Sequence, residues 1–291
     1  MMKRIPSPEW KVLWAAPFTD LDKLIFLLIF APMNRIKALF EEKQQNILNV
    51  FFTAGYPNID DTSTIIRELA AAGVDMIEIG MPFSDPIADG GTIQMSNQQA
   101  LENGINLKRI FDQLEGIRDE VDIPLLLMGY LNPVVQYGIE AFVKKAGEIG
   151  IDGLILPDLP MYEYEKMYQG LFEQHGLSNI FLVTPQTSEA RVQKIDAVSN
   201  GFIYVVSTDS TTGRSSGFGP QQIEYFTRIQ AMNLQNPTLI GFGIHNHDTF
   251  QTAATYANGA IIGSAFIKAL QQDKPISEIA AAFVKGIRAG E

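Results

Sequence analysis

The sequence has no cysteine and only three histidines among its 291 residues. Without cysteine the chain can form no disulfide, no thiolate nucleophile and no thiolate-ligated metal site. His245 and His247 stand two residues apart, but a working metal site would need further ligands from other strands, and the remaining histidine is His175. We therefore expect no bound metal and interpret the pair as polar residues that open a helix.

Positive charge is also scarce. The chain carries 22 Lys and Arg residues against 33 Asp and Glu residues, which gives a net charge of −11. An acidic chain without a basic run repels nucleic-acid backbones and anionic lipid surfaces, so we expect neither nucleic acid nor membrane as a partner. A phosphate group bound by this chain should therefore be held locally, by backbone N–H groups or by a helix end.

Long hydrophobic runs are missing as well. The apolar run from Leu24 to Ala31 is much shorter than the about 20 residues that a membrane-spanning helix needs. A signal peptide is the weaker alternative, because Asp20 and Asp22 precede the run and no small-residue cleavage site follows it. We interpret residues 1–32 as an N-terminal extension, either non-essential or produced by an upstream start codon, and residues 33–291 as the folded domain. Nothing in the sequence indicates secretion, so the expected location is the cytoplasm.

A repeated pattern begins at Asn46, in which a short apolar, β-branched run precedes a loop rich in Gly, Pro or Asp and then a helical stretch. Strands that alternate with helices in this way indicate parallel βαβ units. Eight such units favour a single closed (β/α)8 TIM barrel over an open doubly wound sheet. The predicted strands are Ile47–Thr53, Val74–Gly80, Pro124–Tyr130, Gly153–Pro157, Ile180–Thr184, Phe202–Ser207, Thr238–Gly241 and Ala260–Gly263.

Alternation along the second strand predicts an acid inside the barrel. Ile77 and Ile79 suit the outer face that packs on helices. The residues of opposite parity, which should point inward, are Val74, Met76 and Glu78. Glu78 then lies at the catalytic mouth, where partial desolvation raises the pKa of a Glu from about 4.3 toward neutrality and suits it to general acid/base work. The alternative is a Glu that caps a backbone N–H or pairs with a base.

Asp89 is a second carboxylate expected near the same mouth. It follows the second strand in the loop at residues 81–91, which two prolines stiffen before Gly90 and Gly91 let the chain turn. Two carboxylates in different environments can take different protonation roles. The alternative for Asp89 is a helix N-cap for residues 92–101.

Tyr204 is the third polar candidate. It shares inward parity with Phe202 and Val206 on the sixth predicted strand, which would bring its hydroxyl into the same cavity. A buried tyrosine whose hydroxyl is satisfied by the core is the common alternative. The pattern alone does not decide between the two.

The loops after the seventh and eighth strands form a recurrent phosphate site in barrels of this kind. Here the seventh strand ends in Gly241–Ile244, and the eighth ends in Gly263 and Ser264. Glycine admits an anion to the backbone and the serine adds a hydroxyl donor, although a plain turn is the alternative for each loop. The sixth strand leads into residues 207–217, which are small and polar and are expected to act as a mobile lid.

The stretch Glu78–Gly90, which reads EIGMPFSDPIADG, resembles the signature of the tryptophan synthase alpha chain family. The signature is long and specific. Further matches occur in the same order along the chain, at Phe51–Pro57, Met128–Pro133, Leu156–Pro160, Gly241–Ile244 and Gly263–Ser264. The resemblance runs from about Met33 to the C-terminus and does not include the first 32 residues.

The resemblance implies a lyase that performs the retro-aldol cleavage of indole-3-glycerol phosphate to indole and glyceraldehyde 3-phosphate. This is the alpha half-reaction of tryptophan synthase in L-tryptophan biosynthesis. The resemblance also implies that Glu78 handles the proton transfers, that Asp89 accepts the indole N–H and that Tyr204 assists near the reacting carbons. The phosphate-binding positions that it implies are Gly213, Gly243, Gly263 and Ser264. The indole-pocket positions that it implies are Phe51, Met128, Ile155, Phe242 and Ile244.

The resemblance implies no cofactor in this chain, because the family's pyridoxal phosphate belongs to a separate beta chain that receives the indole through a channel. The expected partner is that beta chain, in an alpha2-beta2 tetramer, facing the loops Pro82–Pro86 and Asp158–Pro160. Two departures from the family pattern stand out. Gly91 occupies a position where the family commonly has Pro, and residues 207–213 lack the usual Arg. These departures concern the start of a helix and the closure of the lid more than the chemistry.

Two other functions stay open at this point. One is another phosphate-binding barrel enzyme, but an indole-glycerol-phosphate-forming synthase needs a catalytic Lys at an inward strand end and a pentose-phosphate epimerase needs metal-binding His residues on strands. The predicted strands supply neither. The other is a non-catalytic barrel that binds phosphate and regulates a partner. Glu78 and Asp89 argue against it, and an activity measurement decides.

Overall fold

The computed structural model describes residues 34–87, 89–207 and 217–290. Their strand segments run parallel and form a nine-stranded sheet. In chain order the segments are β1 (Ile47–Thr53), β2 (Met76–Gly80), β3 (Leu125–Met128), β4 (Gly153–Ile155), β5 (Ser178–Asn179), β6 (Phe181–Val183), β7 (Ile203–Val206), β8 (Thr238–Gly241) and β9 (Gly259–Ile262).

The sheet closes on itself. β1 pairs with β2 on one side and with β9 on the other, and the order continues to β5 at one end and to β6 at the other. Only Ile180 separates these two ends, and its N–H donates to the carbonyl of Leu154 on β4 at 2.9 Å. β5 and β6 are thus two halves of one interrupted strand, and the nine segments make eight barrel strands. The predicted (β/α)8 TIM barrel is confirmed, although its fifth strand begins at Ser178 and not at Ile180.

Helices follow the strands and pack around the barrel. Asn106 and Asn246 each begin a helix by accepting the N–H of the third residue that follows, at 3.0 Å, and Gly73 ends a helix with a left-handed φ of 91°. No helix in the described ranges is long and apolar enough to cross a lipid bilayer. The helices are Arg35–Glu42, Thr62–Ala72, Gly91–Glu102, Leu107–Leu114, Leu131–Tyr137, Ile139–Glu148, Met161–Glu163, Gln169–Gln174, Glu189–Val198, Pro220–Ala231, His247–Tyr256, Ser264–Ala269 and Ile276–Ala289, with a 3₁₀ turn at Ile117–Asp119 and a π turn at Tyr164–Tyr168.

Alternation along the strands divides the buried side chains into an inner layer, inside the barrel, and an outer layer, between strands and helices. The inner layer includes Met76, Leu126, Phe202, Tyr204, Val206 and Leu239. The predicted parity is therefore confirmed on β7, and on β2 for Met76. It is wrong for Val74, which packs in the outer layer. The reason is that β2 begins only at Met76, and the Val74 N–H still bonds back to the carbonyl of Leu69 in the preceding helix at 3.3 Å.

The helix Arg35–Glu42 closes the end of the barrel at which the strands begin. Its Ile36 is fully buried in the inner layer. The side chain of Asn34, its N-cap, donates to the carbonyl of Asp152 at 3.2 Å and to the hydroxyl of Ser178 at 3.0 Å, beside the starts of β4 and β5. This end of the barrel is filled, which leaves the opposite end, where the strands terminate, for a ligand.

Candidate active site

A cavity of about 1090 Å³ opens at the carboxyl ends of the strands. Its position follows from the closed barrel, because the segments that leave parallel strands converge at one end. The cavity brings together residues that are far apart in the sequence. The predicted site residues that line it are Phe51, Glu78, Asp89, Met128, Tyr204, Phe242, Gly243, Ile244, Gly263 and Ser264.

Two predicted site residues are not among those that line the cavity. Ile155 ends β4 and is fully buried in the inner layer, where the partly buried Met128 packs against the same cluster. Gly213 lies outside the described residues, as do residues 208–216 of the predicted lid. Both assignments stay predictions.

Glu78 lies on β2 with no solvent exposure. Its Oε1 accepts a hydrogen bond from the Nδ2 amide of Asn49 at 2.6 Å, and its Oε2 has no partner within the described part of the chain. Burial raises the pKa of Glu78 to about 8, and the hydrogen bond from Asn49 lowers it. At neutral pH the carboxyl is therefore mostly protonated, a state that suits a general acid.

Asp89 stands in the loop that follows β2. The next helix begins at Gly91 with Gly90 as its N-cap, so the capping role considered for Asp89 is not observed. Its Oδ2 instead lies 3.4 Å from the hydroxyl of Tyr130, which donates to it. Burial raises the pKa of Asp89 to about 6, and the Tyr130 hydrogen bond lowers it. The carboxyl is mostly ionised at neutral pH and can accept a hydrogen bond from an N–H group.

Tyr204 reaches the cavity from β7. Its ring packs in the inner layer, with its centroid 6.1 Å from that of Phe242. Burial raises the pKa of Tyr204 well above the ordinary value of 10.0, and the charges of Glu78 and Asp89 raise it further. The hydroxyl therefore remains protonated at neutral pH, so it can donate a hydrogen bond to a ligand oxygen.

Apolar groups form one part of the cavity wall. The Phe51 ring lies over Gly80 and Gly263, where a β-carbon would come within 2.6 Å and 3.1 Å of ring carbons. Glycine at both positions is thus required for the ring to lie where it does. Met128 and Phe242 are partly buried and pack against the inner layer. An apolar wall with aromatic side chains suits a planar aromatic ligand.

Another part of the wall suits an anion. Gly243, Gly263 and Ser264 line it together with the ammonium-bearing side chain of Lys268. Phe242 and Gly243 adopt left-handed φ values of 66° and 76°, which make a tight turn after β8. A bulky residue such as Phe242 rarely adopts this conformation. The Ser207 hydroxyl stabilises it by donating a hydrogen bond to the Phe242 carbonyl at 2.7 Å.

The residues of this region that the sequence did not identify as part of the site include Asn49, His245 and Lys268. Lys268 lies four residues after Ser264 in the same helix, so helical spacing places both on one face. Asn49 has the same parity as Ile47, an inner-layer residue of β1. The alternation that identifies Glu78 on the second strand therefore points to Asn49 on the first strand in the same way. The sequence singles out His245 only as half of a histidine pair that opens a helix, and nothing in that pattern indicates the cavity.

The two neighbouring histidines make backbone contacts. His245 Nδ1 lies 3.0 Å from the carbonyl oxygen of Gly243, and His247 Nδ1 lies 2.9 Å from that of Ile287. His247 is the first residue of a helix. No group of three or more His, Asp or Glu side chains in the described ranges is arranged to hold a metal ion.

Comparison with known proteins decides the family. A family model described as the tryptophan synthase alpha chain matches residues 37–286. The chain belongs to the tryptophan synthase alpha chain family. The alpha chain of Flavobacterium psychrophilum is 59% identical over 241 residues, which cover 83% of this chain and 95% of that relative. The resemblance that the sequence motifs carry is confirmed.

Solved structures agree with this assignment. The crystal structure of the tryptophan synthase alpha subunit from Legionella pneumophila superposes with a TM-score of 0.78 at 32% identity, covering 88% of this chain and 97% of that one. A chain of the tryptophan synthase complex from Pyrococcus furiosus superposes with a TM-score of 0.75 at 29% identity, covering 84% and 98%. The similarity therefore extends over nearly the whole length of both structures.

Membership of the family defines the reaction. The protein is a lyase of L-tryptophan biosynthesis that cleaves indole-3-glycerol phosphate to indole and glyceraldehyde 3-phosphate. The family has no cofactor of its own, and its members work with a beta chain. The predicted enzyme class is confirmed, and the alternatives of a synthase, an epimerase and a non-catalytic barrel are set aside.

Proposed function

We propose that Glu78 and Asp89 divide the proton chemistry of indole-3-glycerol phosphate cleavage between them. The observation that carries the proposal is the difference between two acids in one cavity. Burial raises the pKa of Glu78 to about 8 but that of Asp89 only to about 6. Near pH 7, Glu78 therefore holds a proton and Asp89 does not. Acids whose pKa values are pushed apart in this way take separate roles.

The first step is a proton transfer from Glu78 to C3 of the indole ring, which makes the ring a leaving group. Positive charge then develops at the ring nitrogen, and the ionised Asp89 stabilises it by accepting the N–H hydrogen bond. The Glu78 carboxylate next removes the proton of the glycerol hydroxyl beside the ring. The carbon–carbon bond breaks, its electron pair returns to the ring, and an aldehyde forms. Indole and glyceraldehyde 3-phosphate leave with Glu78 protonated again.

Tyr204 assists by hydrogen bonding to oxygen next to the reacting carbons, since its raised pKa keeps the hydroxyl protonated. Two groups of residues orient the substrate, and all of them except Ile155 and Gly213 line the cavity. The proposed indole pocket consists of Phe51, Met128, Ile155, Phe242 and Ile244. The proposed phosphate-binding site consists of Gly213, Gly243, Gly263 and Ser264.

We further propose that the open end of the barrel docks on a beta chain, in an alpha2-beta2 tetramer. Large apolar side chains are exposed on the segments that leave β2, β3 and β4 at this end, namely Ile87 (90% exposed), Val135 (51%) and Tyr162 (62%). A partner that covers them removes apolar surface from water. The predicted contact loops Pro82–Pro86 and Asp158–Pro160 leave two of the same strands. The beta chain carries the pyridoxal phosphate and receives the indole.

We also propose that residues 33–291 form the catalytic domain and that residues 1–32 are an extension the domain does not need. The support for this boundary is the family match at residues 37–286 and the compact unit at Asn34–Glu291. The proposed location is the cytoplasm, on the strength of the family's biosynthetic role.

The test of the catalytic proposal is Glu78→Gln. Glutamine keeps the shape of the side chain and an acceptor for Asn49, but it cannot exchange a carboxyl proton, so indole release should fall by roughly 10² or more. The matched control is Glu41→Gln, which changes an exposed carboxylate in the helix at the opposite end of the barrel and should leave turnover unchanged. Both variants are assayed with indole-3-glycerol phosphate, alone and with a beta chain. Turnover of Glu78→Gln close to wild type would reject the proposal.

A further inference from the structure

An amide side chain lies beside Glu78 inside the barrel. Asn49 is on β1, fully buried, and in register with Met76 of β2. Its Nδ2 donates to Glu78 Oε1 at 2.6 Å, across the β1–β2 pair. No ammonium, guanidinium or backbone N–H in the described ranges bonds to the Glu78 carboxyl, so the Asn49 amide is the hydrogen-bond donor that the carboxyl has there.

An amide side chain at this position destabilises the folded state. The inner-layer residues nearest along and across the strands, Ile47 and Met76, are apolar, and Asn49 Oδ1 has no hydrogen-bond partner among the described residues. An unpaired amide oxygen in an apolar interior destabilises the folded state, so an apolar side chain would serve packing better. The contact with Glu78 is what distinguishes Asn49 from an ordinary core residue.

We propose that Asn49 is a positioning residue for the cleavage reaction, whose amide holds Glu78 through Oε1 and leaves Oε2 to exchange the proton with the substrate. The inference rests on the catalytic role proposed for Glu78. Oε2 is the carboxyl oxygen without a partner, as the atom that meets a ligand should be before the ligand arrives. A fixed carboxyl matters because a misplacement of about 1 Å in a reacting group can cost on the order of 10²-fold in rate.

An amide can support Glu78 in both of its proton states. When the carboxyl is ionised, the Asn49 N–H donates to Oε1 in the observed arrangement. When the proton resides on Oε2, Oε1 is the carbonyl oxygen of the carboxyl and still accepts from the same N–H, so the amide does not need to turn. The hydrogen bond can thus persist through a cycle in which Glu78 gives up and regains its proton. An apolar residue at position 49 cannot make this bond.

The groups around Glu78 fix the sign of the expected pH effect. Burial raises the pKa of Glu78, and the Asn49 hydrogen bond opposes the rise. The other ionisable groups of the cavity are Asp89, Tyr204, His245 and Lys268, and none of them is changed by a substitution at position 49. Removing the amide should therefore raise the pKa of Glu78 and leave that of Asp89 in place.

The experiment compares Asn49→Leu with Asn179→Leu. Both replace a buried strand asparagine whose Oδ1 has no partner among the described residues, but Asn179 is on β5 and makes no hydrogen bond to Glu78 there. For Asn49→Leu we expect the basic limb of the kcat/KM profile to move up by about one pH unit, the worth of one charge-assisted hydrogen bond, and kcat to fall by roughly tenfold with a smaller change in KM. For Asn179→Leu both limbs should stay where they are in the wild type.

A second variant, Asn49→Asp, tests the same contact in case Asn49→Leu does not fold. Asn49→Asp keeps the size of the side chain and adds a second carboxyl beside Glu78, so it should also move the basic limb to higher pH. If Glu78→Gln is inactive while the profiles of Asn49→Leu and Asn49→Asp superimpose on the wild type, the positioning role is wrong and the catalytic role stands. If Glu78→Gln retains full turnover, the catalytic role itself fails.

Discussion

Gly241 leaves the space that the hydroxyl end of Tyr204 occupies. A β-carbon at position 241 would overlap with the Tyr204 hydroxyl and with the ring carbons next to it. Gly241 ends β8, which pairs with β7, the strand that carries Tyr204. The position of a proposed catalytic hydroxyl therefore depends on a missing side chain on the neighbouring strand.

Replacing Gly241 with alanine should displace Tyr204 and impair cleavage. The ring packs in a filled inner layer, so the added methyl group should destabilise the protein by roughly 1–3 kcal/mol. We expect kcat to fall at least as far as in Tyr204→Phe. Tyr204→Phe removes the hydroxyl alone, whereas Gly241→Ala moves both the hydroxyl and the ring away from the substrate. Steady-state indole release and urea unfolding measure the two effects. Gly170→Ala, at a position with no atom within 4 Å of an added β-carbon, is the control. Wild-type kcat in Gly241→Ala would contradict the role of Tyr204.

The kcat/KM profile should be bell-shaped, with an acid limb near pH 6 and a basic limb near pH 8. Asp89 must lose its proton before it can accept the indole N–H, so activity rises with pH through its pKa. Glu78 must keep a proton for C3, so activity falls as pH passes its pKa. Asp89→Asn should abolish the acid limb and preserve the basic one. A wild-type profile that is flat between pH 5 and pH 9 would contradict the division of roles.

The fold was largely predictable from the sequence, because apolar periodicity reports which face of a strand is buried. The interruption at Ile180 was not, since a break in pairing between Ser178–Asn179 and Phe181–Val183 leaves the apolar pattern of the strand intact. The error at Val74 has a similar origin. Its residue type fits a strand, but its N–H completes the end of the preceding helix.

The site was predictable where the residue type and its position on a strand together indicate a chemical role. Glu78 is an acid at a position of inward parity, which the sequence shows directly. What distinguishes the proton states of Glu78 and Asp89 is the degree of burial and the donor that each one meets, Asn49 or Tyr130. These donors come from β1 and from the segment after β3, and the pairing of β2 with both strands brings them to the acids.

Replacing Gly91 with proline should stabilise the protein. Gly91 is the first residue of its helix, where proline is favoured, and Gly90 before it has φ −73° and ψ 159°, which a following proline allows. A β-carbon at Gly91 meets no atom within 4 Å. Proline restricts the backbone of the unfolded chain, which should raise the free energy of unfolding by about 0.4–1 kcal/mol. Urea unfolding measures this change. Gly170→Pro, inside a helical run, should lower the free energy of unfolding by roughly 3 kcal/mol. A lower stability for Gly91→Pro would show that the helix start is strained.

Deleting residues 1–32 should leave melting temperature and turnover unchanged. The shortened chain keeps Asn34 and the helix Arg35–Glu42, which closes the barrel at the start of its strands. Deleting residues 1–42 is the contrasting change. It removes Ile36 from the inner layer and should destabilise the protein by at least the roughly 2–5 kcal/mol of a large core truncation. Insoluble or inactive protein from the shorter deletion would show that the first 32 residues are structural.

Glu78→Gln should become more stable than the wild type as pH rises. The pKa of Glu78 is about 8 in the folded protein, against 4.5 for an ordinary Glu. Between these values the folded state holds a proton that the unfolded state has released, so wild-type stability falls as pH rises from the unfolded pKa, and the loss is complete once pH has passed the folded pKa. Glutamine does not titrate, and the contribution of Asp89 is common to both proteins.

The two proteins should therefore melt at similar temperatures at pH 4.5, apart from a constant offset, and diverge in favour of Glu78→Gln up to about pH 9. A difference of about 1 kcal/mol corresponds to roughly 2–4 °C in a chain of this size. Glu41→Gln, which changes an exposed carboxylate, should follow the wild type at every pH. If the melting temperatures of Glu78→Gln and wild type differed by the same amount across this range, the Glu78 carboxyl would titrate like one in water. Burial would then not raise its pKa, and Glu78 would not hold the proton that cleavage requires near pH 7.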